Sequence, residues 1–197
     1  GTSFFALPAL VVSRVGLHYA NVDTDRTVGA AIQIRVATWS AATIPALMLC
    51  FLVYRWTIQR GYSRVAAVYS AIALGLASPF WAYSSLFWGN SLAACCLVYT
   101  TFRITKLSMK PVYDTKWGPA FWVGIVAGWT VMTEFPTAPM VLVLTLVLLA
   151  NLTPWTRYFG RLVALAFGAL LVASLLGTYN YFAFGSPFHL GYASVQG

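Results

Sequence analysis

Apolar residues run through this chain in long blocks broken by short polar connections. A membrane-spanning helix needs about 20 mostly apolar residues, and six blocks meet or approach that length: 32–55, 64–86, 88–103, 117–133, 137–152 and 159–182. The third and fifth are short, so they must thin the bilayer locally or borrow flanking residues. Residues 4–17 are apolar but too short to span, and Arg14 interrupts them. They predict an interfacial helix, followed by a polar connection from His18 to Ala31. The pattern predicts an all-α fold, a polytopic transmembrane bundle of about six spanning helices plus an N-terminal interfacial helix. Three regions follow: 1–31 as interfacial helix and outer connection, 32–182 as the transmembrane core, and 183–197 as an aromatic, Gly/Pro-rich segment.

Composition points the same way. Of 197 residues, 60% are hydrophobic and only 8% charged, where a soluble domain carries about a quarter charged. Sixteen charges cannot cover a soluble surface, and 9 Pro with 15 Gly are near average usage, so low complexity is excluded as well. The three cysteines, Cys50, Cys95 and Cys96, sit in apolar runs without CxxC spacing and read as small buried hydrophobes. Gly1-Thr2-Ser3 opens directly into an apolar run without initiator Met or signal peptide, as expected of an internal piece of something longer.

The net charge of +8 gives the orientation. All but three of the 12 Lys and Arg fall in one set of connections: Arg55, Arg60, Arg64, then Arg103, Lys106, Lys110, Lys116, then Arg157 and Arg161. The opposite connections, Trp88-Gly89-Asn90, Glu134-Phe135-Pro136 and Phe184 to Gly197, hold none. Cytoplasmic loops carry the excess of Lys and Arg, so the basic side is cytoplasmic and nucleic acid is not the expected partner. The polar and Pro/Gly motifs then gather on the outer face.

Candidate chemistry is sparse. Apart from Asp114 in a cytoplasmic linker, Glu134 is the only acid beyond the N-terminal connection. Ionisable groups beside a span are costly and often functional, so Glu134 reads either as an interfacial carboxylate or as a contact for a polar ligand. Trp88-Gly89-Asn90 reverses the chain between two helices; Gly89 permits the turn and Asn90 can cap the next helix. A Trp and an amide beside a cavity also suit a sugar, by stacking and paired hydrogen bonds. The run Asn180 to Tyr192 leaves a helix through Gly185-Ser186-Pro187 and carries His189. With His18 as the second histidine, no metal site is expected. Asp23 and Asp25 offer oxygens to a divalent cation, although two carboxylates alone make no site. Gly124 and Gly128 form a small-xxx-small face for close helix packing within the chain. There is no P-loop, dinucleotide-binding fingerprint, HExxH or nucleophile elbow.

Several strings, taken in order, carry a resemblance. They are Gly1-Thr2-Ser3-Phe4-Phe5-Ala6-Leu7-Pro8, the Arg35-led helix ending Tyr54-Arg55, and Ala73-Leu74-Gly75-Leu76-Ala77-Ser78-Pro79. Leu86-Phe87-Trp88-Gly89-Asn90-Ser91-Leu92-Ala93-Ala94, Gly128 through Pro136, and Tyr179 through Pro187 complete the set. The chain resembles bacterial integral-membrane glycosyltransferases of the C-type fold, relatives of protein O-mannosyltransferases and lipid A aminoarabinose transferases. The resemblance implies a many-helix enzyme of the bacterial inner membrane that uses a polyprenyl-phosphate sugar on the outer, periplasmic face. Trp88, Asn90, Glu134, Asn180, His189 and Tyr192 would line its substrate cavity. In such families an acid in the first outer loop is the general base, and that loop normally precedes the segment where this chain begins. No catalytic residue is assigned for that reason. Asn90 stands where many relatives have His, and an amide cannot shuttle a proton near neutral pH. Both departures suit an alternative: a non-catalytic accessory subunit, derived from that family, in a larger photosynthetic or respiratory membrane complex.

Overall fold

The computed structural model describes residues 2–20, 22–23, 27–87, 89–109, 117–151 and 159–187. The protein is all-helical, with no strand among the described residues. It divides into two compact units, residues 1–102 and 103–197.

In the first unit α1 (Thr2–Tyr19) is followed by α2 (Thr27–Thr38), a π-helical turn (Trp39–Thr43) and α3 (Ile44–Gln59). The last three form one continuous helix, Thr27–Gln59, whose 33 residues are long and apolar enough to cross a membrane. Pro45 sits inside it. Proline lacks an N–H and its ring clashes with the carbonyl four residues back, and the π turn just ahead of it is the local solution. Ala6 of α1 packs against Ala37 and Ala41, with Leu10 alongside, so α1 lies antiparallel along the long helix through alanine contacts. The residues expected to form a short interfacial element thus make an 18-residue helix.

Gly61, with φ 85°, turns the chain after α3, and the Ser63 hydroxyl caps α4 (Arg64–Leu76) by accepting from Ala66 N–H at 3.2 Å. The expected span 64–86 is broken. The Ser78 hydroxyl donates to Leu74 O at 2.6 Å and accepts from Phe80 N–H at 3.2 Å, and Pro79 opens a separate short helix, α5 (Phe80–Ser84). Thr43 Oγ1 donates to Ser84 O at 2.9 Å, tying α5 to the π turn. The division between the units falls within α6 (Asn90–Met109), and Phe102 meets Trp56 of α3 edge to face at 6.1 Å.

The second unit contains α7 (Gly118–Thr133), a 3-10 turn (Phe135–Thr137), α8 (Ala138–Asn151) and α9 (Phe159–Phe184). The 26-residue α9 is the second helix long and apolar enough to cross a membrane; Arg64–Leu76, Gly118–Thr133 and Phe135–Val147 are apolar but shorter. The expected small-residue face does pack within the chain. A Cβ at Gly124 would land on the Leu165 carbonyl, and one at Gly168 on the Phe121 carbonyl. Gly128 stands against Val172 and Ala169. Residue 124 pairs near 165–168 and residue 128 near 169–172, so α7 and α9 run parallel with their backbones in contact. Phe121 stacks on Phe167 at 6.0 Å beside this crossing. The core beneath comprises Ile104, Leu107, Ala120 and Val123, with Leu144, Leu162, Ala164 and Leu165 packed on it.

Candidate functional site

Between α7, α8 and α9 lies an apolar cavity of about 260 Å³. Its walls include Gly128 and Met132 of α7, Val141 and Thr145 of α8, and Val172 and Leu176 of α9. Thr145 donates its hydroxyl to Val141 O at 2.8 Å, so the one polar side chain among the described wall residues is satisfied within its own helix and the space suits an apolar guest. Because α7 and α9 are parallel, their C-terminal ends share one end of this unit, and the wall residues Met132 and Leu176 lie within about a turn of Glu134 and Asn180.

Glu134 ends α7. Its backbone is extended, at φ −141° and ψ 103°. Its N–H donates to Thr130 O at 3.0 Å, and its carbonyl accepts both the Thr137 N–H at 3.0 Å and the Thr137 hydroxyl at 2.7 Å. These bonds fix the break between α7 and α8 and engage the main chain. The Glu134 residue is half-buried. Asn180 is buried, and its Nδ2 donates to Pro187 O at 3.3 Å. Gly185, at φ 76°, donates to Tyr181 O at 2.9 Å and turns the chain back, so the Asn180 amide pins the Gly-Ser-Pro turn to α9. That is a structural duty, and neither Asn180 nor Glu134 is among the residues that line the apolar cavity.

Asn90 is exposed and is the first residue of α6. The preceding Gly89 is buried, and its carbonyl accepts from Ala93 N–H at 2.8 Å. Gly89 thus stands at the capping position and Asn90, expected as the cap, is the first residue inside the helix. Asn90 belongs to the first unit, and Glu134 and Asn180 to the second. Trp88, His189 and Tyr192 lie outside the described residues, as does Asp25 of the expected cation pair. Among the described residues no group of three or more His, Cys, Asp or Glu could hold a metal ion, and Cys50, Cys95 and Cys96 are free thiols.

Sequence reasoning passed over the buried hydroxyls of Ser91 and Thr100 and the Trp129 indole N–H, none of which meets a hydrogen-bond partner. Nothing in their spacing marks them. By contrast, the partner of the Gly124/Gly128 face had a visible signal, because Gly160, Ala164 and Gly168 recur every four residues. No family model, curated protein or solved structure matches this chain.

Proposed function

We propose that this chain is a multi-pass membrane protein and the membrane core of a glycosyltransferase that uses a polyprenyl-phosphate sugar on the outer face of a bacterial inner membrane. The observation that carries the reading is the apolar cavity between α7, α8 and α9, placed just below Glu134. An isoprenoid chain needs an apolar slot, and its phosphosugar needs polar groups at the membrane surface above it. The six expected spans are part of the same reading. Thr27–Gln59 and Phe159–Phe184 are long and apolar enough to cross, and on this reading Arg64–Leu76, Gly118–Thr133 and Phe135–Val147 cross where the bilayer thins or flanking residues complete them. The sixth expected span, 88–103, falls on α6, which is not among these apolar helices.

Two further features support a membrane setting. Large apolar side chains stand exposed on long and short helices alike, among them Val12, Leu47, Phe51, Leu142, Phe167 and Leu170. Hydroxyls inside helices bond to their own backbone, as Thr57 does to Val53 O, Thr130 to Val126 O and Thr178 to Ser174 O, which removes their need for water. In the second unit, the parallel α7 and α9 begin beside Lys116 and Arg157–Arg161, so their N-termini belong to the cytoplasmic side and Glu134 to the outer side.

The test is binding of a radiolabelled polyprenyl-phosphate sugar to the purified full chain. Filling the cavity with a substitution at Ala173, a wall residue of α9, as Ala173→Phe, and neutralising the carboxylate with Glu134→Gln should each weaken retention about tenfold or more. Wild-type retention in both variants would overturn the reading. The accessory-subunit alternative has its own support in α8, where Met140, Leu142, Val143, Leu146 and Val147 are all exposed. It predicts stable co-purification with a partner that shields this helix from labelling.

A further inference from the structure

At the end of α1 the first unit carries a polar cavity of about 590 Å³ that the glycosyltransferase reading does not use. Arg14, Val15, His18, Tyr19, Val22 and Asp23 line it. Arg14 and His18 stand one helical turn apart and so share a face of α1. Asp23 comes back to them because the chain folds over the helix end, where Ala20 N–H donates to Gly16 O and Val22 N–H to Leu17 O, each at 3.0 Å. The opposite face of α1, with Ala6 and Leu17, is buried, so the cavity opens away from the packed side. Val11 and Val12 are exposed within about a turn of Arg14, toward the middle of the helix, and Val15 of the cavity wall is exposed beside them.

A guanidinium, an imidazole, a phenol and a carboxylate thus surround one space, with bare aliphatic surface directly beside it. That order, polar and doubly charged at the helix end and apolar along the helix, matches a phospholipid. We propose that this cavity binds the headgroup of a membrane lipid carrying both a phosphodiester and a primary ammonium. The phosphodiester is held by Arg14 with donors from His18 and Tyr19, the ammonium donates to Asp23, and the acyl chains run along Val11, Val12 and Val15. A guanidinium binds phosphate through two parallel N–H donors. Asp23 supplies selectivity, because a quaternary ammonium has no N–H to donate and an uncharged glycerol headgroup offers no cation.

The inference rests on the membrane reading but not on glycosyl transfer. It is tested by reconstituting the full chain into phosphatidylcholine vesicles doped with phosphatidylethanolamine or phosphatidylglycerol, then weighing the lipids retained after extraction by native mass spectrometry. Phosphatidylethanolamine should be retained about tenfold over phosphatidylcholine, the weight of one charge-assisted hydrogen bond. Arg14→Gln should abolish retention, Arg14→Lys should restore part of it, and Asp23→Asn should erase the preference while leaving binding. Arg35→Gln, which removes an exposed cation from α2 outside the cavity, should change nothing. Equal loss in Arg35→Gln, a preference for phosphatidylglycerol, or wild-type selectivity in Arg14→Gln would each overturn the site. Failure of the chain to enter vesicles would overturn the membrane reading together with it, whereas insertion without selectivity would overturn the site alone.

Discussion

Two helix pairs in this protein solve the same packing problem differently. In the first unit α1 meets the long helix through alanines, Ala6 against Ala37 and Ala41. In the second, α7 meets α9 through glycines, with Gly124 and Gly168 pressed against opposing main chain. Between apolar helices in an apolar medium there is little hydrophobic drive to associate, and close approach supplies van der Waals contact instead. An alanine contact keeps a methyl group on each side and leaves room to adjust. A glycine contact brings backbone onto backbone, where no side chain can swing away. The glycine pair is therefore the rigid one, and it frames the apolar cavity; the alanine pair is the tolerant one, and it carries the polar cavity at its end.

That contrast can be broken most forcefully at the crossing itself. Gly168→Leu or Gly124→Leu should cost well over 3 kcal/mol and leave little folded second unit, read as loss of the unfolding transition in detergent, because overpacking against fixed backbone exceeds the usual range of about 1–3 kcal/mol. Gly128→Ala should fall inside that range, since its new methyl meets Val172 Cβ at 3.1 Å and Ala169 O at 3.2 Å. Asn180→Ala should cost about 1 kcal/mol, one hydrogen bond, and should raise protease cleavage near Gly185. The smallest effect has the opposite sign. Gly16 of α1 has nothing within 4 Å of a Cβ, so Gly16→Ala should stabilise the first unit by up to about 1 kcal/mol through helix propensity. If Gly16→Ala and Gly124→Ala moved the melting temperature alike, the distinction between the two pairs would fall.

Helices proved legible where a run of apolar residues and its punctuation agreed. Residues 117–133 and 159–182 were expected and Gly118–Thr133 and Phe159–Phe184 are found, since basic linkers bound them on one side and polar turns on the other. The 64–86 run misled because composition is blind to one well-placed hydrogen bond: Ser78 and Pro79 are two residues in an apolar stretch, yet they end α4. The reading of 32–55 as one span passed over Pro45, and whether a helix answers proline with a kink, a break or a wide turn depends on what packs beside it, here α1 and α5. The candidate site was legible only in part. Glu134 stood out by charge and Asn180 by its place before a Gly-Ser-Pro turn, whereas the cavity among α7, α8 and α9 is made by apolar residues whose spacing matches that of any buried helix.

The π turn at Trp39–Thr43 also changes the phase of the helix that contains it. One extra residue in a turn rotates everything beyond by about 100°, the arc of a single residue at 3.6 per turn. The stripe that faces α1 before the turn is therefore not continued after it, and a different stripe meets α4. One unbroken rod thereby serves two neighbours on two sides. A helical wheel drawn through residues 27–59 would blur both stripes into one.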